Sequence, residues 1–234
     1  MTAPAAPAAS PYDLPDVTGL SIAVLGGTGP QGRGLARRFA AAGLTVVLGS
    51  RDGERAAALA AELATATGGD VRGAANGEAA AQADIVLVAV PWDGHGALLE
   101  GLRDQLAGRI VVDCVNPLGF DKQGAFALPV AEGSAAQQAA ALLPDSRVVA
   151  AFHHVSAVLL EDPALDRFDL DVLVVGDDRQ ATDTVQALAA TIPGMRGVYA
   201  GRLRNAHQVE AFTANLISMN RRYKAHAGVR VTDV

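Results

Sequence analysis

The chain has 234 residues, of which 50% are hydrophobic and 19% charged, so it can bury the core of a globular domain and wholesale disorder is excluded. Its longest strongly apolar run covers residues 85–92, well short of the ~20 residues that a membrane-spanning helix needs. The only cysteine, Cys114, excludes an intrachain disulfide and is typical of a protein of the reducing cytoplasm.

The formal net charge of −6 is unevenly distributed along the chain. From Arg196 to the end, seven Lys or Arg residues stand against two acidic ones, whereas the preceding part carries 12 basic and 23 acidic residues. No nucleic-acid-binding motif accompanies the basic segment, so a small polyanionic ligand is the better candidate partner. A solvated helix face without a ligand explains the charge equally well.

The N-terminal segment MTAPAAPAASPYDLPD has no Lys or Arg and no apolar stretch, so it does not match a secretory signal. Four prolines interrupt its first 15 residues. We therefore expect residues 1–17 to form a disordered tail.

After this tail, short apolar strands alternate with glycine turns and amphipathic helices, which predicts a doubly wound α/β fold with a Rossmann-type parallel sheet. We expect a dinucleotide-binding domain over residues 18–152 and a smaller C-terminal α/β segment over residues 153–234. The apolar run 85–90 is typical of a strand covered on both faces. The predicted strands are 21–25, 44–48, one near 71, 85–90, 109–113, 148–152, 172–175 and one near 198; the predicted helices are 32–42, 52–67, a short one after Asn76, 95–106, 134–143, 182–192 and a long final helix, 205–224.

The first motif with chemical content follows the first predicted strand. Gly27, Gly29 and Gly32 satisfy G-x-G-x-x-G and open a helix. In this context Gly27 allows a tight turn, Gly29 lets a pyrophosphate approach the backbone, and Gly32 lets the helix pack on the strand. The motif predicts a dinucleotide site.

The end of the second predicted strand indicates which dinucleotide binds. NAD-specific sites usually carry an acidic residue there, whereas this chain has Ser50 and Arg51, with Arg55 one helical turn later. These side chains suit a 2′-phosphate, so NADP(H) is favoured. Asp52 is expected to cap the following helix, although an inward orientation toward the ribose would favour NAD.

Five segments together resemble the F420:NADP oxidoreductases, which are NADPH-dependent reductases of the 5-deazaflavin coenzyme F420. The stretch from Cys114 resembles the bacterial branch of that family. Shorter members have a different loop there and a Thr at the position of His154, so roles around the deazaflavin are not transferred to these side chains. The segments are GGTGPQGRGLARRFAAAG from Gly26, GSR from Gly49, VPW from Val90, AFHHVSAV from Ala151 and GRLRNAHQVEAFTANLI from Gly201.

The resemblance implies hydride transfer between NADP(H) and F420, with both reactive groups supplied by the cofactors. Transferred position by position, it places Thr28, Gln31, Ser50, Arg51 and Arg55 at NADPH. It also places Pro91, Trp92 and Asn116 near the nicotinamide.

Two adjacent histidines, His153 and His154, follow a predicted strand beside the proposed ring-stacking crevice. One imidazole N–H is a candidate to hydrogen-bond the pyrimidine-like end of the deazaflavin. Because neighbouring strand residues point to opposite faces, we expect at most one to face the ligand and the other to be a packing residue. No residue stands at a spacing that favours a metal site.

The resemblance implies that the smaller C-terminal domain, residues 153–234, binds the deazaflavin. F420 also carries a phosphate and a chain of glutamates, which gives the basic C-terminal segment a candidate ligand. Arg202 and Arg204 precede the long helix, and Arg221, Arg222 and Lys224 lie near its end. Either group is a candidate for the anionic tail.

Two other functions remain open from the residues alone: a reductase of ordinary flavin or another small acceptor, and a non-catalytic NADP(H)-sensing protein. The F420 reductase is preferred because of the family resemblance. The expected partners are small-molecule cofactors, with neither nucleic acid nor membrane. A homodimer formed through the long helix is a further possibility.

Overall fold

The computed structural model describes residues 13–234; the first 12 residues of the predicted tail lie outside them. Within the described part, strands and helices alternate as predicted up to β5. The strands are β1 Ser21–Leu25, β2 Thr45–Ser50, β3 Val71–Ala75, β4 Ile85–Val88, β5 Ile110–Asp113, β6 Leu118–Asp121, β7 Gly124–Ala127, β8 Arg147–Ala150, β9 Leu170–Gly176 and β10 Met195–Gly201. The helices are α1 Pro30–Ala41, α2 Gly53–Thr67, α3 Asn76–Ala81, α4 His95–Gly101, α5 Arg103–Leu106, α6 Ala135–Leu142, α7 Ala157–Glu161, α8 Arg179–Ala190 and α9 Ala206–Tyr223.

Eight of the strands form one sheet in the order β10-β9-β8-β5-β4-β1-β2-β3. The six strands from β8 to β3 are parallel, in the order of a doubly wound dinucleotide-binding sheet. Strand order reverses between β1 and β4, so their carboxyl ends form the crevice where such sheets bind ligands. The predicted Rossmann-type fold is confirmed.

The centre of the sheet is covered on both faces. Ile85 and Leu87 belong to the apolar cluster on the α1 and α2 face, whereas Val86 and Val88 belong to the cluster on the α3 and α6 face. All four side chains are completely buried. This arrangement explains why β4 reads as a continuous apolar run.

The C-terminal segment continues the same sheet in the opposite direction. β9 pairs antiparallel with β8, and β10 pairs parallel with β9, so the carboxyl ends of β9 and β10 point away from the crevice. The boundary at residue 152 remains a prediction. At the other boundary, Val17, the last residue of the predicted tail, is buried.

One local prediction differs from the structure: the predicted helix 95–106 is divided at Leu102 into α4 and α5. The connection 116–133 contains the antiparallel hairpin β6–β7. On α9 the apolar residues Val209 and Leu216 are buried, whereas Met219 and Tyr223, nearer its end, are exposed. No helix in residues 13–234 is long and apolar enough to cross a membrane.

Candidate functional site

The turn after β1 carries the predicted glycine motif, and the protein itself requires two of its glycines. A Cβ on Gly27 would lie 2.8 Å from Leu48 Cδ2 and from the Val24 carbonyl oxygen. A Cβ on Gly32 would lie 2.7 Å from the Gly26 carbonyl oxygen. These two glycines are therefore needed for β1, β2 and α1 to pack together.

Neither the backbone conformation nor the packing of the protein requires a glycine at position 29. Its φ of −80° suits any residue, and an added Cβ would meet only the Gly26 carbonyl oxygen, at 3.4 Å. Gly29 is the N-cap of α1 and offers no side-chain cap, so the first turn of the helix presents free N–H groups and the positive end of its dipole. The space that a side chain would fill fits an anionic diphosphate.

The end of β2 combines one buried hydroxyl with two exposed cations. Ser50 is 8% exposed, while Arg51 and Arg55 are exposed and have no ion-pair partner among residues 13–234. Asp52 caps α2, because its Oδ1 accepts a hydrogen bond of 3.1 Å from the Arg55 amide. The predicted capping role of Asp52 is confirmed.

The next two parallel strands end beside one another. Val88 of β4 pairs with Asp113 of β5, so the residues that follow each strand meet at the same edge of the sheet. Pro91 is exposed and Trp92 half-buried after β4, and Asn116 is half-buried after β5. The structure thus brings together the residues predicted to lie near the nicotinamide.

A polar cluster joins this edge to the turn after β8 and to α9. The Asn116 side-chain amide donates to the His153 carbonyl oxygen at 3.0 Å, and the Thr213 hydroxyl donates to the same oxygen at 3.1 Å. Thr213 Oγ1 also lies 3.4 Å from Asn116 Oδ1. Sequence reasoning missed Thr213, because nothing in the local pattern distinguishes it from other helix residues.

His153 is the candidate side chain with free hydrogen-bonding capacity. It is 3% exposed, and within the described part of the chain neither ring nitrogen has a hydrogen-bond partner. Burial lowers the pKa of His153 to about 4, so the ring is neutral and offers one donor and one acceptor. A buried imidazole with unused polar atoms fits a bound polar ligand.

His154 has a different environment. Its Nε2 donates to the Asp171 carbonyl oxygen at 2.8 Å, and burial lowers its pKa. Both histidines lie in a turn beyond the end of β8, so the alternation of neighbouring strand residues does not determine which of them faces the ligand. The contact with β9 favours the packing role for His154.

A buried ionisable cluster behind these loops was not predicted. His95 Nε2 lies 2.6 Å from Asp113 Oδ2, and both side chains are completely buried. Nearby, the Glu210 carboxylate accepts hydrogen bonds from the Ala135 and Ala136 amides at the start of α6, at 2.9 and 3.1 Å. Burial raises the pKa of Glu210 to about 7. A single His or Glu in a helical pattern gave no signal of this cluster.

The basic C-terminal residues divide into paired and unpaired groups. Arg196 and Arg230 both bind the buried carboxylate of Asp171, at 2.7 and 3.1 Å. Arg202 lies 3.7 Å from Asp177, at the carboxyl end of β9 and away from the crevice. These arginines already neutralise acidic residues of the protein.

Arg221 and Arg222 instead line a groove of about 620 Å³ between the β6–β7 hairpin and α9. Ile217 and Ser218, one helical turn beyond Thr213, form part of the same groove. The groove therefore begins next to the polar cluster and leads to two cations.

Comparison with known proteins agrees with this geometry. Residues 21–117 match the family model described as "NADP oxidoreductase coenzyme F420-dependent". The F420-dependent NADP reductase of Methanothermobacter thermautotrophicus is 40% identical over 92% of this chain and 96% of its own length. The enzyme of the same name from Methanocaldococcus jannaschii is 37% identical over 92% of this chain and 99% of its own.

A solved structure supports the same relationship. A candidate F420-dependent NADP reductase from Arthrobacter sp. FB24 superposes with a TM-score of 0.78 and 28% identity. The match covers 92% of this chain and all of that one. The shared architecture extends through the C-terminal segment.

The doubly wound sheet, with a glycine-rich turn leading from β1 into α1, places the protein among Rossmann-type dinucleotide-binding folds. Within that class, the chain belongs to the family of F420-dependent NADP reductases. The predicted family, the oxidoreductase activity and the cofactors NADP(H) and F420 are confirmed.

Proposed function

We propose that this protein transfers a hydride between NADP(H) and F420 at the edge of the sheet where Trp92, Asn116, His153 and Thr213 meet. The observation that carries the proposal is the pairing of an open diphosphate cradle at Gly29 with a partly buried polar cluster two strands away. When bound, the nicotinamide C4 and the deazaflavin C5 supply the hydride chemistry. The protein's task is then to bind both rings, orient them face to face and exclude water.

For the NADP(H) half, we assign the diphosphate to Gly27, Gly29, Gly32 and Thr28, in front of the first turn of α1. Gln31 is a weaker candidate for direct contact, because its amide nitrogen already donates to the Phe152 carbonyl oxygen. This bond uses one of the two N–H donors of the side-chain amide and fixes the orientation of that amide. We infer that Gln31 supports the cofactor site through Phe152.

We assign the 2′-phosphate to Ser50, Arg51 and Arg55. The two guanidinium groups are exposed and have no acidic partner in residues 13–234. Asp52 is turned into its own helix cap, so its carboxylate is not directed at a ribose. This arrangement supports NADP(H) over NAD(H).

For the ring site, we assign Pro91, Trp92 and Asn116 to the nicotinamide side. We assign the His153 ring to the polar end of the deazaflavin, because it is neutral and has a free donor and a free acceptor. Asn116 and Thr213 hold the His153 carbonyl oxygen from two sides, which orients this residue. His154 is left as a structural residue.

For the anionic tail of F420 we propose Arg221 and Arg222 rather than Arg202 and Arg204. The first pair lines the groove that starts beside the Thr213 cluster. Arg202 is close to Asp177, and the 202–205 turn lies before α9 starts, on the other side of Thr213. Charge and position together support the pair at the end of α9.

We also propose that the protein is a cytoplasmic homodimer. Phe120 and Phe126 of the hairpin and Met219 and Tyr223 of α9 are exposed on neighbouring elements. Sedimentation analysis of the native protein and of a Phe120→Ser variant tests this, and a native protein that is monomeric at assay concentration contradicts it.

The central experiment mixes the purified protein with NADPH and either F420 or FMN and follows the oxidation of NADPH. We expect rapid oxidation with F420 and little with FMN. Rapid oxidation with FMN and none with F420 would instead support the flavin-reductase alternative. Binding of NADPH without turnover of either acceptor would support the sensing alternative.

A further inference from the structure

His95 lies at the start of α4, immediately after the turn that carries Trp92, and its side chain is completely buried. Its Nε2 lies 2.6 Å from Asp113 Oδ2, and its Nδ1 lies 3.0 Å from Gln138 Oε1. The Trp92 ring lies against the imidazole, with the ring centroids 5.5 Å apart and a tilt of 32°. One side chain therefore contacts the turn after β4, the end of β5, and α6.

The neighbours of His95 define its protonation state. Gln138 Nε2 donates to Glu132 at 3.3 Å, so the oxygen of the Gln138 amide is the atom that faces the imidazole. Asp113 presents a carboxylate oxygen to the other ring nitrogen. Because both nitrogens face acceptors, the imidazolium, with two N–H donors, is the form that satisfies both.

The charges around the ring favour the same form. Burial lowers the pKa of His95, but the Asp113 carboxylate, the hydrogen bonds to Asp113 and Gln138, and the more distant Glu210 raise it, and the pKa is raised overall. These three side chains come from β5, α6 and α9, the elements around the imidazole. The ring is thus a buried cation beside a buried carboxylate.

Asp113 connects this pair to the loop that holds Asn116. Its second oxygen, Oδ1, accepts a hydrogen bond of 3.0 Å from the Val115 amide. This bond shapes the turn that leads to Asn116, whose side chain donates to the His153 carbonyl oxygen. The orientation of the Asp113 carboxylate is therefore coupled to the placement of Asn116.

We propose that His95 is a positioning residue: as a buried cation it joins the Trp92 turn to the Asp113–Asn116 turn and sets the spacing of the two loops beside the ring-stacking site. The inference rests on the proposed function, which places the nicotinamide between these loops. A buried ion pair adds little net stability compared with apolar residues of the same volume. Misplacement of a reacting group by 1 Å, in contrast, costs about a hundredfold in rate.

The first test replaces Asp113 by Asn, which has the same shape. The side-chain oxygen of the introduced amide can still accept from the Val115 amide. His95 can avoid an unpaired charge by losing one proton, because neutral Nε2 can accept from the introduced amide while Nδ1–H still donates to Gln138. We expect Asp113→Asn to remain folded and to bind NADPH with a Kd within about twofold of the native value, because the Gly29 cradle is untouched. We expect kcat with F420 to fall about tenfold to a hundredfold.

A control makes the same substitution at the opposite ends of the strands, at the start of β1. Asp84 Oδ2 accepts hydrogen bonds from the amide and the hydroxyl of Ser21 at the start of β1, at 2.9 and 2.7 Å. Asp84→Asn therefore removes a hydrogen-bonded carboxylate far from the crevice, although Asp84 is exposed and Asp113 is buried. Its kcat should equal that of the native protein.

A second readout needs no cofactor. Trp92 is the only tryptophan of the chain, and a protonated imidazole in contact with an indole quenches its fluorescence. In the native protein we expect Trp92 emission to rise as increasing pH removes the His95 proton. This transition should move to lower pH in Asp113→Asn and should disappear in His95→Phe.

The proposal is overturned if folded Asp113→Asn keeps both the native kcat and the native fluorescence transition. If Asp113→Asn does not fold, Gln138→Leu decides, because it removes only the acceptor of Nδ1. For Gln138→Leu we expect a smaller loss of kcat than for Asp113→Asn, and a fluorescence transition at lower pH than in the native protein. If neither kcat nor the transition changes, the inference is refuted. Failure of the native protein to reduce F420 would refute the proposed function, whereas the fluorescence transition tests the His95 contact separately.

Discussion

The side-chain amide nitrogen of Gln31 lies 3.2 Å from the carbonyl oxygen of Phe152. Gln31 belongs to the first turn of α1, and Phe152 precedes His153 in the turn after β8. Because β4 and β5 lie between β1 and β8 in the sheet, this bond spans the carboxyl ends of those two strands. Phe152 has a φ of +64°, which is unfavourable for an aromatic residue. Its buried ring meets Phe39 edge-on at 5.9 Å, and this packing stabilises the strained turn.

Removal of this bond should affect turnover more than NADPH binding. Gln31→Met keeps the length of the side chain but loses the donor to Phe152, and a lost hydrogen bond is worth about 1 kcal/mol, or roughly fivefold. We expect kcat with F420 to fall by about that factor while the Kd for NADPH stays within about twofold. A large rise in the NADPH Kd with an unchanged kcat would show that Gln31 contacts the cofactor directly.

Substitution of two motif glycines should separate ligand binding from folding. Gly29→Val should fold, because an added Cβ meets only one atom at 3.4 Å, but its side chain should block the diphosphate and abolish NADPH binding. Gly32→Val should destabilise the protein, because its Cβ would lie 2.7 Å from the Gly26 carbonyl oxygen. Calorimetry gives both Tm and NADPH affinity for each variant. Retained NADPH binding by folded Gly29→Val would show that the motif is only a turn.

The preference for NADPH over NADH should depend on Arg51. Arg51→Ala removes a charge-assisted contact to the 2′-phosphate, so the NADPH affinity should fall about tenfold to a hundredfold. NADH affinity should barely change, because NADH lacks that phosphate. Arg72→Ala is the control, since Arg72 is an exposed arginine on neighbouring β3 that pairs with Asp70 at 2.8 Å. Equal losses for both dinucleotides would refute the specificity assignment.

Two matched double substitutions should locate the site of the F420 tail. Arg221→Gln with Arg222→Gln should raise the KM for F420, whereas Arg202→Gln with Arg204→Gln should leave it near the native value. The difference should shrink as salt is added, because exposed charges are screened beyond ~8 Å at physiological ionic strength. A deazaflavin without phosphate and glutamates should be used equally well by all three proteins. A rise in KM confined to the Arg202 and Arg204 variant would move the tail site to the start of α9.

Protein stability should fall with rising pH because of Glu210. Burial raises its pKa from 4.5 to about 7, so the folded protein holds this proton more tightly than the unfolded chain. The resulting stabilisation is complete below about pH 4.5 and is lost as the pH rises through about 7, at most about 3 kcal/mol. Tm should therefore fall more between pH 5 and pH 8 in the native protein than in Glu210→Gln. Parallel Tm curves for the two proteins would contradict the assignment.

Several features of this protein follow from short stretches of its sequence. The Gly27–Gly32 motif opens a helix directly after β1, so three neighbouring positions already predict the dinucleotide cradle. The apolar run of β4 predicts a strand covered on both faces because no solvent-facing residue interrupts it. Asp52 is recognisable as the cap of α2 from the sequence, because it lies only three residues before the Arg55 amide, from which its side chain accepts a hydrogen bond. In each case the responsible interactions are local in the chain or impose a local pattern.

Tertiary structure decided the features that depend on distant residues. Thr213 is 60 residues from the His153 carbonyl group that it contacts, and Glu210 is 75 residues from the Ala135 amide that it binds. The reversed direction of β9 likewise depends on its pairing with β8 and not on its composition. A polar residue on a helix looks the same whether it faces water or a buried amide, so only the packing of α9 against α6 and the turn after β8 could reveal these roles.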